Sequence, residues 1–266
     1  MSQTVLVTGA SSGIGQATAQ LLAERGFTVF GTARKPEAAK SAGMTMVPLD
    51  VRSDDSVRAC VQQVVAKAGR IDVLVNNAGY LVTGAAEETS VEEAKAQLET
   101  NFFGVVRMVN AVLPAMRAAR AGKIINISSL AGSTAIPFSA FYTASKFALE
   151  GYSEALWHEV RPFGISVSLV EPGFVNTPII GEASPVAAHT LPAYDTTRER
   201  MLAAFGKSLK GGIPPEQVAR RVLQIIEQAN PGLRYRVGTD ATWLPRLRSV
   251  LPWSLYAAGV RKTFAV

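Results

Sequence analysis

The chain has 266 residues, 48% apolar and 18% charged, with a net charge of +6. That balance gives ample material for a folded core and excludes charge-driven disorder, while the single cysteine, Cys60, excludes an internal disulfide framework. The basic residues are scattered without a stripe or interleaved aromatics, so a solvated surface is expected and a nucleic-acid partner is not.

Short β-branched apolar runs alternate with helical patterns from end to end. Strands are predicted at Thr4–Thr8, Thr28–Thr32, Thr45–Leu49, Ile71–Asn76, Gly122–Ser128, Ser166–Val170 and Tyr235–Val237. Helices are predicted near 13–25, 54–68, 91–119, 140–161 and 215–229. The alternation predicts one α/β domain over residues 1–266, a doubly wound parallel sheet of about seven strands with helices on both faces. Cys60 falls among Val57, Val61, Val64 and Val65 at helical spacing, the place of a buried structural thiol. The chain enters its first strand at Thr4 with no basic segment before it. No apolar run approaches the ~20 residues of a membrane span, so a cytoplasmic, reducing location is expected.

Two stretches break the rhythm. Residues 176–213, with Pro178, Pro185, Pro192, Gly206, Gly211 and Gly212, read as a long insertion on the substrate side. The tail, 242–266, mixes Trp243, Leu247, Leu251, Trp253, Leu255 and Phe264 with Arg246, Arg248, Arg261 and Lys262. It can pack on the domain, on a second subunit or, weakly, at a membrane surface; Pro245 and Pro252 interrupt any long helix.

The first strand runs into Thr8-Gly9-Ala10-Ser11-Ser12-Gly13-Ile14-Gly15 and then a helix. Glycines there allow a tight turn and close backbone approach to a phosphate, which the helix N-terminus faces with its positive end. At the end of the second strand stand Ala33-Arg34-Lys35, with no carboxylate before Glu37. In a dinucleotide site an acid at this point binds the ribose 2′-hydroxyl and an arginine accommodates a 2′-phosphate. Arg34 therefore points to NADP(H) rather than NAD(H), with Ser11 and Ser12 as helpers. Further on, Tyr142 and Lys146 are spaced to share one helix face. An ammonium at ~4 Å and an effective dielectric near 20 favours phenolate by about 4 kcal/mol, moving a tyrosine toward useful acid–base chemistry.

These residues come in a recognisable order. The loop Thr8–Gly15, Asn76-Asn77-Ala78-Gly79 after the fourth strand, Asn101, Ser129 thirteen residues before Tyr142, Lys146, and Pro172-Gly173 with Thr177 together resemble the short-chain dehydrogenase/reductase family. The likeness is to its classical subfamily, and loosely to hydroxysteroid- and retinol-type members. The resemblance implies a Rossmann-type fold and an enzyme interconverting a carbonyl and an alcohol with NADP(H). It implies that Tyr142 exchanges the proton, that Lys146 lowers the tyrosine pKa and holds the nicotinamide ribose, and that Ser129 polarises the substrate oxygen, with Ser128 as the nearby alternative. Asn101 would hold a water joining Lys146 to solvent. Cofactor contacts would come from Gly9, Ser11, Ser12, Gly13, Ile14, Gly15, Arg34, Asn77, Ala78, Gly79, Tyr142 and Lys146. Asp50 and Val51 would serve the adenine, while Pro172, Gly173, Val175 and Thr177 would serve the nicotinamide. A homodimer or homotetramer is the expected assembly.

The residues expected to face the substrate are Leu81, Ala131, Ile136, Phe138, Phe141, Val175, Ile179 and Ile180, with core packing as the alternative for each. They include no cation to clamp a carboxylate, which favours a lipophilic ketone or alcohol. No metal site is expected, because His158 and His189 lack companions at ligand spacing, although His189 could line the substrate loop. A dinucleotide-binding redox sensor without turnover is the rival reading; its mark would be loss of Tyr142 or Lys146, and both are present.

Overall fold

The computed structural model describes residues 2–38, 43–177 and 185–266. Seven strands form one sheet in the order β3-β2-β1-β4-β5-β6-β7. They are β1 (Thr4–Val7), β2 (Thr28–Ala33), β3 (Thr45–Pro48), β4 (Val73–Asn76), β5 (Gly122–Ile127), β6 (Ile165–Pro172) and β7 (Arg234–Val237). Every pairing is parallel.

Parallel strands joined by helical crossovers are covered on both faces, and the side chains divide accordingly. Leu6, Leu74, Ile124 and Leu169 point to one core, together with residues of α2 (Asp54–Ala68), α4 (Gly104–Ala119) and α5 (Ala140–Val160). Their neighbours Val5, Val7, Val73, Val75, Ile125 and Val170 point to the other. That second core is closed by α1 (Gly13–Glu24) and α7 (Pro215–Glu227). Each fully buried aliphatic side chain contributes about 1.5–3 kcal/mol. Cys60 lies in the first core, where burial pushes its thiol up to about 12, so it is an inert packing residue.

The chain winds outward from β1 to β3, then returns to place β4 on the other side of β1. The crevice beyond the carboxyl ends of β1 and β4 is where a sheet of this kind binds ligands. The loops Thr8–Gly15 and Asn76–Gly79 both open into it.

The helical run 91–119 is a composite of α3 (Val91–Leu98), a π turn (Glu99–Phe103) and α4. By length and composition it could cross a membrane, contrary to the expectation that no run approaches that length. Here Val105, Met108, Val109, Val112 and Met116 of α4 are buried in the first core instead.

The expected insertion 176–213 is not all loop. It contains α6 (Asp195–Lys210), in which Met201, Phe205 and Leu209 form a buried stripe. Pro192 precedes the helix in a 3-10 turn, and a Cβ at Gly206 would meet nothing within 4 Å, so neither residue breaks it. Likewise the tail folds into α8 (Thr239–Val250), with Pro245 inside it, and α9 (Trp253–Phe264). Pro178, Ile179 and Ile180 lie outside the described residues.

Candidate active site

The glycine loop is built as its chemistry requires. Gly9 and Gly13 adopt φ of +66° and +55°, which side chains rarely follow. A Cβ at Gly15 would stand 2.2 Å from the Gly9 carbonyl, so Gly15 packs behind the loop and does not line the crevice. Asn77 fixes the loop from the other side, its side-chain amide donating to Thr8 O (3.0 Å) and Gly9 O (2.9 Å). The Thr8 hydroxyl accepts from both Asn77 N (2.9 Å) and Ala78 N (3.0 Å). The first turn of α1 carries no acid, and its cap residue Ser12 makes no side-chain capping bond. Its N–H end therefore keeps its capacity for an anion.

A cleft of about 630 Å³ runs from this loop along the sheet edge. Gly9, Ser11, Ser12, Gly13, Ile14, Arg34, Asp50, Val51, Asn77, Ala78, Gly79, Tyr142, Lys146 and Thr177 line it, as the resemblance implied. Arg52 and Tyr80 also line it and were missed. Arg52 grips Asp50 through two nitrogens (3.0 and 2.7 Å), which holds that carboxyl below its usual range with Arg34 adding to the pull. Two guanidiniums and one ion-paired carboxylate thus stand at this end of the cleft. Steric openness at the glycines, a bare helix N-terminus and this positive end together fit the phosphates of a dinucleotide.

Beyond Tyr142 the cleft meets a smaller apolar cavity, whose described part encloses about 70 Å³. Leu81, Ile136, Pro172, Gly173, Phe174, Val175, Phe205 and Leu209 line it, with Ser128, Ser129 and Tyr142 at its mouth. Ala131 and Phe138 pack in the same cluster, whereas Phe141 is not among the lining residues. Phe205 and Leu209 come from the unforeseen helix α6, and Phe174 from the loop after β6. The loop Gly173–Phe174 is held by Asp240, whose carboxylate accepts from Phe174 N at 2.6 Å. A Cβ at Gly173 would sit 2.0 Å from that carboxylate. Gly173→Ala is therefore expected to lower Tm by roughly 2–12 °C, the range set by overpacking costs in a chain of this size. An unchanged melting curve would show that Asp240 does not clamp the loop.

On α5, Tyr142 and Lys146 do share a face. The Lys146 ammonium is buried, donates to Ile127 O at 2.9 Å and lies 5.7 Å from the Tyr142 ring centroid. Burial lowers its pKa to about 8, opposed by the Glu150 carboxylate one turn on. The expected depression of the Tyr142 pKa is not found in this arrangement. Burial pushes the phenol up, and only the hydrogen bond with Ser129 pulls it down. Lys146 adds no pull of its own: its ammonium donates to a main-chain carbonyl and lies 5.7 Å from the ring centroid.

Asn101 sits in the π turn, a distortion common at functional sites. Its side-chain amide donates to Tyr80 O (2.9 Å) and Ser145 Oγ (3.1 Å), and its oxygen accepts from Tyr80 N (3.0 Å). It therefore braces the Gly79–Tyr80 loop against α5 and does not line the cleft. Behind the site, a charge cluster absent from the sequence reading joins Glu150, Glu171, Arg234 and Arg236. Ser128 and Glu150 both lie against Gly132, so the cluster reaches the residue beside Ser129. Both histidines are exposed, and among the described residues no His, Cys, Asp or Glu group could hold a metal.

Residues 3–186 match the short chain dehydrogenase family. A 3-ketodihydrosphingosine reductase of Bacteroides thetaiotaomicron is 45% identical over 91% of this chain and 93% of its own. Retinol dehydrogenase 8 of Bos taurus is 38% identical over 96% of this chain and 88% of its own. A short-chain dehydrogenase structure from Streptomyces avermitilis superimposes with a TM-score of 0.82 at 35% identity, covering 97% of this chain and 98% of that one. A metagenomic short-chain oxidoreductase in complex with NADP gives 0.70 at 31% identity, over 88% and 95%. The chain is a member of the short-chain dehydrogenase/reductase family, an oxidoreductase of Rossmann-type fold with a nucleotide-binding site.

Proposed function

We propose that this protein reduces a lipophilic ketone or aldehyde to the alcohol with NADPH, reversibly, and that Tyr142 supplies the proton. The observation that supports this most is the position of Tyr142 at the junction of the polar cleft and the apolar cavity, which Ser129 also lines. Arg34 and Arg52 favour the 2′-phosphorylated cofactor. The named activity of the reductase relative and the NADP in a structural neighbour point the same way.

When bound, NADPH supplies hydride to the carbonyl carbon. A phenol raised by burial stays protonated at neutral pH, ready to donate Oη–H as charge builds on the substrate oxygen. Ser129 hydrogen-bonds that oxygen, a contribution that grows with its negative charge. Lys146, cationic below about pH 8, holds a positive charge 5.7 Å from the centroid of the ring that carries the negative charge once the proton leaves. The apolar lining selects against charged substrates and excludes water. A panel of ketones with NADPH tests the reading: kcat/KM is expected to rise with apolar size, and turnover confined to small or charged carbonyls would contradict it.

The charge cluster makes a pH prediction. Glu150 raises the Lys146 pKa, and Lys146 is cationic below that pKa, near 8. Facing Glu150 are Ser128, Glu171 and Arg234. Glu150→Gln removes the supporting carboxylate, so the alkaline decline of NADPH-driven reduction is expected to move to lower pH. A pH profile with an unmoved alkaline limb would detach Glu150 from the site's electrostatics. We also propose a homodimer or homotetramer formed through α4 and α5, where Phe103, just before α4, and Phe147 of α5 are exposed; sedimentation as a monomer at micromolar concentration would contradict it.

A further inference from the structure

We propose that the outer face of α8 and α9 docks on an anionic lipid bilayer. On α8, Trp243, Leu247 and Val250 recur at i, i+4 and i+7 and so lie on one side of the helix, with Leu251 following at its end. All four are exposed, Val250 to 75% and Trp243 to 58%. Past Pro252, Trp253 and Leu255 in the first turn of α9 are also exposed, to 69% and 61%. Scattered exposed apolar residues need no explanation, but six on one corner do.

The inner side of the same corner is fixed. Ala241 and Pro245 of α8 and Tyr256 and Phe264 of α9 are buried. Phe264 packs with Leu81, Ile136, Met201 and Phe205 in the cluster that includes the apolar cavity. The exposed stripe is therefore part of the folded structure, seated over the substrate side.

Charge identifies the occupant. Residues 241–266 contain Arg246, Arg248, Arg261 and Lys262 and no Asp or Glu. Asp240, just before them, turns inward to Phe174 N. Arg246 lies over the Trp243 ring at 5.4 Å, and Arg248 lies over Phe147 at 5.6 Å while donating to Ser133 O. The cations thus flank the apolar stripe. A two-fold contact between copies would set this patch against itself, cation on cation with no carboxylate in the segment to offset them. Anionic headgroups neutralise the same charges, and Trp243 and Trp253 suit the headgroup boundary. Helices of 12 residues are too short to span a bilayer and lie on its surface. Docking in this orientation would present the cavity to lipid-dissolved molecules, although docking itself does not depend on the catalytic reading.

The test uses the full chain with phosphatidylcholine vesicles, with and without phosphatidylglycerol, read by flotation and tryptophan emission. Two of the three tryptophans lie on this face, so binding is expected to shift the emission to shorter wavelength. Partitioning is expected to be at least about tenfold stronger with phosphatidylglycerol and to weaken with salt. Val250→Ser with Trp253→Ser is expected to lower it at least about tenfold, and Arg261→Gln with Lys262→Gln to lower only the anionic preference. Both pairs should leave the melting curve and NADPH affinity unchanged. Failure to bind either vesicle, or binding undiminished in both variants, would overturn the proposal. So would an oligomer that Val250→Ser with Trp253→Ser dissociates in a chain that ignores vesicles, which would make the face a contact between copies.

Discussion

Tyr142→Phe is expected to lower kcat by about 10³-fold or more while leaving NADPH affinity within about twofold. The size follows from what a positioned proton donor contributes, about 10²–10⁴-fold. The Ser128 and Ser129 hydroxyls at the cavity can hydrogen-bond the oxygen, but an aliphatic alcohol is a much weaker acid than a phenol and a poor source of the proton. The substitution removes one hydroxyl and keeps the ring, so the packing with Leu81, Ile136 and Phe138 survives. Binding measured by fluorescence titration separates loss of chemistry from loss of the site. Full turnover in the variant would remove Tyr142 from the proton transfer.

Arg34→Asp is expected to invert cofactor preference. A charge-assisted hydrogen bond contributes about 1.5–3 kcal/mol, so losing it weakens NADPH binding about 10–100-fold. The new carboxylate repels the 2′-phosphate and can accept from the 2′-hydroxyl of NADH, which should gain affinity. Because Arg52 also lines this end of the cleft, the loss should deepen when Arg52 is replaced as well. Equal weakening of NADPH and NADH would show that Arg34 supports the loop without reading the phosphate.

The parts of this fold that are periodic were legible in the sequence. β-branched runs located all seven strands and the glycine loop located the phosphate-binding turn, because local pattern and final structure agree there. Helix α6 was not legible: Pro192 and Gly206 signal breaks, yet the stripe Met201, Phe205, Leu209 is decided by burial against the substrate side. Pro245 misled in the same way, since it sits within α8 without ending it. At the site, cofactor-lining residues clustered in short motifs could be read directly. Asp240 and Glu150–Arg234 could not, for their partners lie 66 and 84 residues away and no local spacing reports them. Arg52 left a readable sign, a cation two positions past Asp50, that went unused. The tyrosine–lysine spacing correctly put two side chains on one face, but spacing alone did not show that Lys146 would be held by Ile127 O. The direction of the Tyr142 shift depended on burial, a property of the whole fold.

The most direct measurement is a single turnover with NADPH carrying deuterium at the transferable nicotinamide position and an apolar ketone, followed by mass spectrometry of the product. One deuterium on the new carbinol carbon for each cofactor oxidised is the predicted result. Tight NADPH binding with no cofactor oxidised across a range of apolar carbonyls would contradict it, and would favour a protein that senses the nucleotide without consuming it.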